Sequence, residues 1–205
     1  MDRIKTPEIQ KKIQWAKEKL IELAGDVSRR ELKEFYVMGI ITPILDELDA
    51  DPAIIVGGHA VELYTSGSYK TADVDLVMIR DDLARALFDE LGFVREGRHY
   101  YVSEMDIPIE IPSDTLEGSK EKIIKLNTPE GYCYVIGIDD LILDRLRAAE
   151  FWSDARSLEW ARYLMYSQFD NIDLTYIRNT VNIENIKLAS RFEKEYQWVI
   201  DHMFE

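Results

Sequence analysis

Residues 53–79 constrain what this chain can fold into more than any other stretch. "AIIV" reads as a buried strand, Gly57 and Gly58 turn it into a helical run that ends near Tyr64, and "DVDLVMI" at 73–79 returns as a second apolar strand. A strand, turn, helix and strand in that order require a sheet with a helix packed on it. The second strand carries Asp73 and Asp75, two residues apart and so on one face, while Val74, Leu76 and Met78 take the other. An unpaired buried carboxylate is costly. These acids must therefore be neutralised by a partner, hydrated at a strand end, or supplied with a cation.

Before this stretch, "TPEIQKKIQWAKEKLIEL" places Ile9, Ile13, Ala16, Leu20 and Leu23 at helical spacing behind a Thr6-Pro7 start. A second helix follows, with Ser28 three residues before Glu31 as its capping start and Pro43 expected to kink it or end its first part. After the acid-bearing strand, "DDLARALFDEL" (81–91) reads as a helix and "FVREGRHYYVSE" as a hairpin. "MDIPIEIP" (105–112) alternates as a strand, and "KIIKLNTPEGYCYVI" gives two short strands around a Thr-Pro-Glu-Gly turn. From "IDDLILDRLRAAEFW" onward the pattern is helical. The expected class is α+β, bordering on α/β: a mixed sheet flanked by helices. Residues 1–137 form its core with two N-terminal helices, and 138–205 form a C-terminal helical segment.

The chemistry follows from the same stretch. Backbone amides at the helix start after Gly57 and Gly58 can approach phosphate oxygens with no Cβ in the way, although two glycines also suit a plain tight turn. Two carboxylates on one strand face repel unless a hard cation lies between them. Mg²⁺ suits such oxygen ligands and keeps open positions for phosphate; the bland counterpart is a solvated strand edge. A two-metal phosphoryl-transfer site needs a third carboxylate from a neighbouring strand. Glu110, between Ile109 and Ile111, is preferred for it over Asp106, which lies on the same strand face near an expected turn.

Lys70 has two equal readings, a phosphate contact and a solvated turn lysine. His59, directly after the glycines, is placed to touch a phosphate or base, but reads rather as a first-turn helix histidine satisfied by the backbone. His99 and His202 have no partners at metal-ligand spacing, so zinc is not expected. Tyr100, Tyr101, Trp152, Trp160 and Tyr163 read as packing residues, although an exposed aromatic could stack on a base, and Lys120, Lys122 and Lys125, the best local basic patch, read as a solvated strand face.

Gly-Gly after a strand, a short helix, Asp-x-Asp on the next strand and a later acid flanked by aliphatics resemble the nucleotidyltransferase superfamily typified by DNA polymerase beta. The likeness is nearest to small prokaryotic nucleotidyltransferases of abortive-infection and toxin–antitoxin systems. It covers residues 54–112, and "IDDLILDRLRAAEFW" resembles the family's helical continuation, with Arg145 where many relatives carry a basic residue. The resemblance implies that Gly57 and Gly58 hold an NTP. It implies too that Asp73 and Asp75 bind Mg²⁺ or Mn²⁺ and that Glu110 is the third carboxylate. It further implies transfer of a nucleoside monophosphate to a hydroxyl on protein, RNA or a small molecule, with a partner protein where the system has two components. The alternative is a non-catalytic binding module such as an antitoxin. The chain departs from the family pattern twice: residues 59–72 make a long spacer, and the third acid is Glu rather than the more usual Asp.

Composition narrows the partners. The 205 residues suffice for one substantial core, and a net charge of −14 repels polyanions on average, which favours a protein or small-molecule acceptor over RNA. The single Cys133 excludes an internal disulfide framework, reads as a small buried hydrophobe, and fits a reducing compartment. No run approaches the roughly 18 apolar residues of a membrane span, and "MDRIKTPEIQKKIQW" has no apolar signal region, so the expected location is the cytoplasm.

Overall fold

The computed structural model describes residues 3–26, 28, 33–71, 74–79, 82–97, 99–102 and 105–203, with the backbone alone at 102 and 105–107. The chain divides into two compact units. One comprises Met1–His59, Lys70–Leu116 and Ile123–Val135, and the other Ala60–Tyr69, Glu117–Lys122 and Ile136–Glu205.

The first unit holds the sheet. Among the described residues its strands are β1 (Ile54–Ile55), β2 (Val74–Val77), β3 (Phe93–Glu96), β4 (His99–Val102), β5 (Met105–Ser113), β6 (Ile124–Asn127) and β7 (Tyr132–Val135). Their order across the sheet is β3-β4-β5-β2-β1-β7-β6. β1 is antiparallel to β2 and parallel to β7, β2 is parallel to β5, and the two outer pairs are antiparallel hairpins. The class is mixed α/β, as the sequence pattern predicts.

Helix α1 (Pro7–Gly25) starts on its proline and buries Ile9, Ile13, Ala16, Leu20 and Leu23, the predicted stripe. It packs on α2 (Lys33–Glu47) and on α4 (Asp82–Leu91). Pro43 does not end α2, which continues to Glu47. A proline lacks the N–H that the carbonyl four residues back would accept, and the Gly39 carbonyl meets Gly131 instead: a Cβ there would stand 2.5 Å from that oxygen. The hydroxyls of Tyr132 and Tyr134 donate to Asp46 Oδ2 at 2.7 and 2.8 Å, which fastens α2 to β7. Cys133, between them, is fully buried, and burial pushes its thiol up to about 12. The Ser28–Glu31 cap involves Glu31, which lies outside the described residues.

The second unit is helical: α5 (Ile138–Phe151), α6 (Ala155–Ser167), α7 (Leu174–Glu184) and α8 (Ile186–His202). Asp154, Asp173 and Asn185 cap the last three by accepting first-turn amides. Asp139 and Asp140, buried in the first turn of α5, hold the Glu117–Lys122 segment. Lys122 Nζ bridges Asp139 and Asp173, both at 2.9 Å, and Asp140 accepts from the Ser119 amide at 2.9 Å and the Tyr176 hydroxyl at 2.6 Å. Lys122, expected on a solvated face, is thus an anchor, while Lys125 in the first unit lies 3.3 Å over the Tyr132 ring. Arg145 Nε donates to Asp144 at 2.9 Å. No helix among the described residues is long and apolar enough to cross a membrane.

Candidate active site

The candidate site is built in the first unit, where β1, β2, β5 and β4 lie side by side. Val74, Leu76, Ile109 and Ile111 are at most 1% exposed and line the core face of β2 and β5. Alternation then sends Asp75 and Glu110 to the opposite face. The two are direct partners in the parallel β2–β5 register, so their side chains stand next to each other about one strand spacing apart, ~4.8 Å. On the other side of Glu110, the antiparallel β4–β5 register sets His99 opposite it, with His99 Nε2 at 3.1 Å from Glu110 Oε2. His99, Glu110 and Asp75 thus form one row across three strands. Tyr101 continues the face on β4, its ring centroid 6.0 Å from that of His99.

The row ends against the glycine turn. Val56 donates its amide to the Asp75 carbonyl at 3.0 Å, and the chain then enters α3 (Gly57–Tyr64) through a left-handed Gly57 with φ +59°. A Cβ on Gly57 would stand 2.2 Å from Asp75 Oδ2. Only glycine meets both demands, the backbone angle and the close approach of the carboxylate. The first-turn amides of α3 and an acid therefore share one small space, the local arrangement that a metal-bound phosphate requires.

Behind the turn, buried His59 places Nε2 3.6 Å from Glu34 Oε1 of α2, and Phe35 meets its ring edge-on. Burial raises the Glu34 carboxyl, but the His59 hydrogen bond, a backbone amide and the charges of His59 and Lys70 outweigh this and hold it below the usual carboxylate range. Lys70 itself is exposed. Gly58 is buried as the second residue of α3. Asp73 lies outside the described residues, and so does the side chain of Asp106.

Among the described residues no group of three or more His, Cys, Asp or Glu is arranged to hold a metal. Asp75 and Glu110 are hard oxygen donors on one face beside helix-start amides, and that donor chemistry fits Mg²⁺ or Mn²⁺. Asp73 is the third member of the expected set. His99 is the residue that sequence reasoning passed over. A regular ladder counted back from the Val102↔Met105 pair would set it opposite Pro108, and the register shift between Tyr100 and Val102 brings it to Glu110.

No family model and no curated protein matches this chain. Among solved structures it is similar to the solution structure of the antibiotic-resistance factor ANT(2'')-Ia, at 16% identity over 77% of this chain and 90% of that one, TM-score 0.42. It is also similar to a crystal structure of ANT(2'')-Ia in complex with adenylyl-2''-tobramycin, at 16% identity over 74% and 92%, TM-score 0.43. Likenesses this distant assign neither family nor activity to the chain.

Proposed function

We propose that the chain is a metal-dependent nucleotidyltransferase, moving a nucleoside monophosphate from an NTP to a hydroxyl acceptor. The observation that carries this reading is the in-register pair Asp75 and Glu110, abutting the Gly57 turn at the start of α3. The amides of Gly57 and Gly58 take phosphate oxygens, with Lys70 as a further cation for the triphosphate. Asp73 and Asp75 would anchor Mg²⁺ or Mn²⁺, with Glu110 as the third carboxylate beside it, and the ion would supply charge neutralisation for the phosphates. Glu110 accepts the acceptor's proton as the hydroxyl oxygen bonds to the α-phosphorus. The bond from that phosphorus to the bridging oxygen of the β-phosphate breaks, and its electron pair leaves with pyrophosphate. His99 keeps the Glu110 carboxylate turned toward the acceptor.

The net charge of −14 favours a protein hydroxyl or a small molecule over RNA as acceptor. The resemblance to abortive-infection and toxin–antitoxin nucleotidyltransferases adds a partner protein in a cytoplasmic setting. The test is incubation with each labelled NTP and Mg²⁺ against extract protein, RNA and a panel of polyhydroxylated small molecules. Label in one fraction supports transfer and names the acceptor class. NTP binding with label in no fraction overturns catalysis and leaves the alternative, a binding module such as an antitoxin component.

A further inference from the structure

The second unit carries a corner that its own packing leaves open. Arg147 donates to Glu184 at 2.9 and 2.7 Å, and Arg191 Nε donates to Glu150 at 2.9 Å, so the last turn of α5 is tied to the junction of α7 and α8. Four large apolar side chains stand within two residues of those bridges. Phe151 is 48% exposed, Trp152 77%, Ile183 87% and Ile186 85%. Beside them, one face of α8 presents Lys187, Ser190, Arg191 and Lys194, which line with Glu150 an open groove of about 320 Å³. Lys187 and Lys194 are exposed and have no ion partner among the described residues.

We propose that this corner docks a partner protein through a segment that carries apolar side chains flanked by Asp and Glu. Charge complementarity sets the sign: Arg191 is taken up by Glu150 at 2.9 Å and Glu195 at 3.6 Å, and Lys187 and Lys194 on either side of it in the groove are left to meet an acidic partner. The aliphatic pair sets the class. Phe151 and Trp152 could serve either a base or a peptide, but Ile183 and Ile186, the most exposed of the four, have no planar face on which a base could stack and suit the apolar anchors of a peptide. A short peptide brings fewer negative charges against the net charge of −14 than a nucleic acid, with one per phosphate, or a second copy of this chain. The inference is independent of whether the chain transfers nucleotides.

Fluorescence anisotropy with the full chain tests it. The probe is a synthetic peptide of about 20 residues with Leu and Phe at i, i+3, i+4 and i+7 spacing and Glu or Asp between them. Its controls are the same peptide with Lys for each acid and a single-stranded RNA of similar length. The acidic peptide is expected to bind roughly tenfold or more tightly than the Lys version, with an affinity that falls as salt rises. Lys187→Glu with Lys194→Glu should weaken it about tenfold and remove the salt dependence. Ile183→Ser with Ile186→Ser should weaken it at every salt concentration, and both exposed pairs should leave the melting temperature unchanged. Equal binding of the two peptides, no binding, or indifference to both double variants would overturn the proposal. RNA binding that the lysine variants abolish would overturn it in favour of nucleic acid. Sedimentation of the chain alone as a dimer that Ile183→Ser with Ile186→Ser dissolves would overturn it in favour of a second copy.

Discussion

At the scale of single residues, Gly57 sets how close the helix start and the acid can come. Its φ of +59° and the 2.2 Å that would separate an added Cβ from Asp75 Oδ2 act together. Gly57→Ala is expected to lose about 1–3 kcal/mol in a denaturant melt, because the left-handed backbone is strained for alanine and the carboxylate must move. A variant with wild-type stability would show that the turn relaxes freely. The pair of glycines after a strand was legible in the sequence because glycine has few reasons to stand there. His99 was not, since its place beside Glu110 depends on an irregular register that neither segment encodes alone.

At the scale of elements, local pattern and long-range pairing part company. The stripe of α1 repeats every three or four residues and could be read directly, as could the β3–β4 and β6–β7 hairpins with their short turns. The adjacency of β2 and β5 could only be expected from the chemistry of their acids, because α4 and a hairpin intervene and parallel pairing leaves no local signal. β1 is shorter than its apolar run, since Ala53 and Val56 flank the two residues that pair.

In the second unit, the bridge from Lys122 to Asp139 and Asp173 joins the 117–122 segment to α5 and α7. The Lys122 hydrogen bond and the Tyr176 amide hold the Asp173 carboxyl below its ordinary value of 3.8. Burial alone would lower Lys122, but its bonds to Asp139 and Asp173 raise it overall. A depressed carboxyl stabilises the fold fully above its unfolded value and loses that contribution as pH falls through the folded one. The raised lysine keeps its share at every pH below the unfolded lysine value. Asp173→Asn retains a cap for α7 and removes the charge. Its melting temperature should therefore fall below wild type at neutral pH, with the gap closing below about pH 4. A gap independent of pH would show that the ion pair contributes nothing.

At the scale of the whole molecule, a chain of net charge −14 that places acids together has much to gain from a divalent cation. Mg²⁺ or Mn²⁺ should raise the thermal midpoint, and more so with an NTP present, because each ligand stabilises the state that binds it. Asp73→Asn with Asp75→Asn should abolish that increment; an unchanged response would place the ions elsewhere. In the proposed reaction Glu110 takes the acceptor's proton while the aspartates anchor the metal and triphosphate. NTP affinity and turnover measured together in Glu110→Gln separate these roles. Affinity should stay within a few-fold of wild type and transfer should fall by roughly two to four orders of magnitude, the range for loss of a general base. Equal losses in affinity and turnover, or transfer at the wild-type rate, would contradict this division of roles.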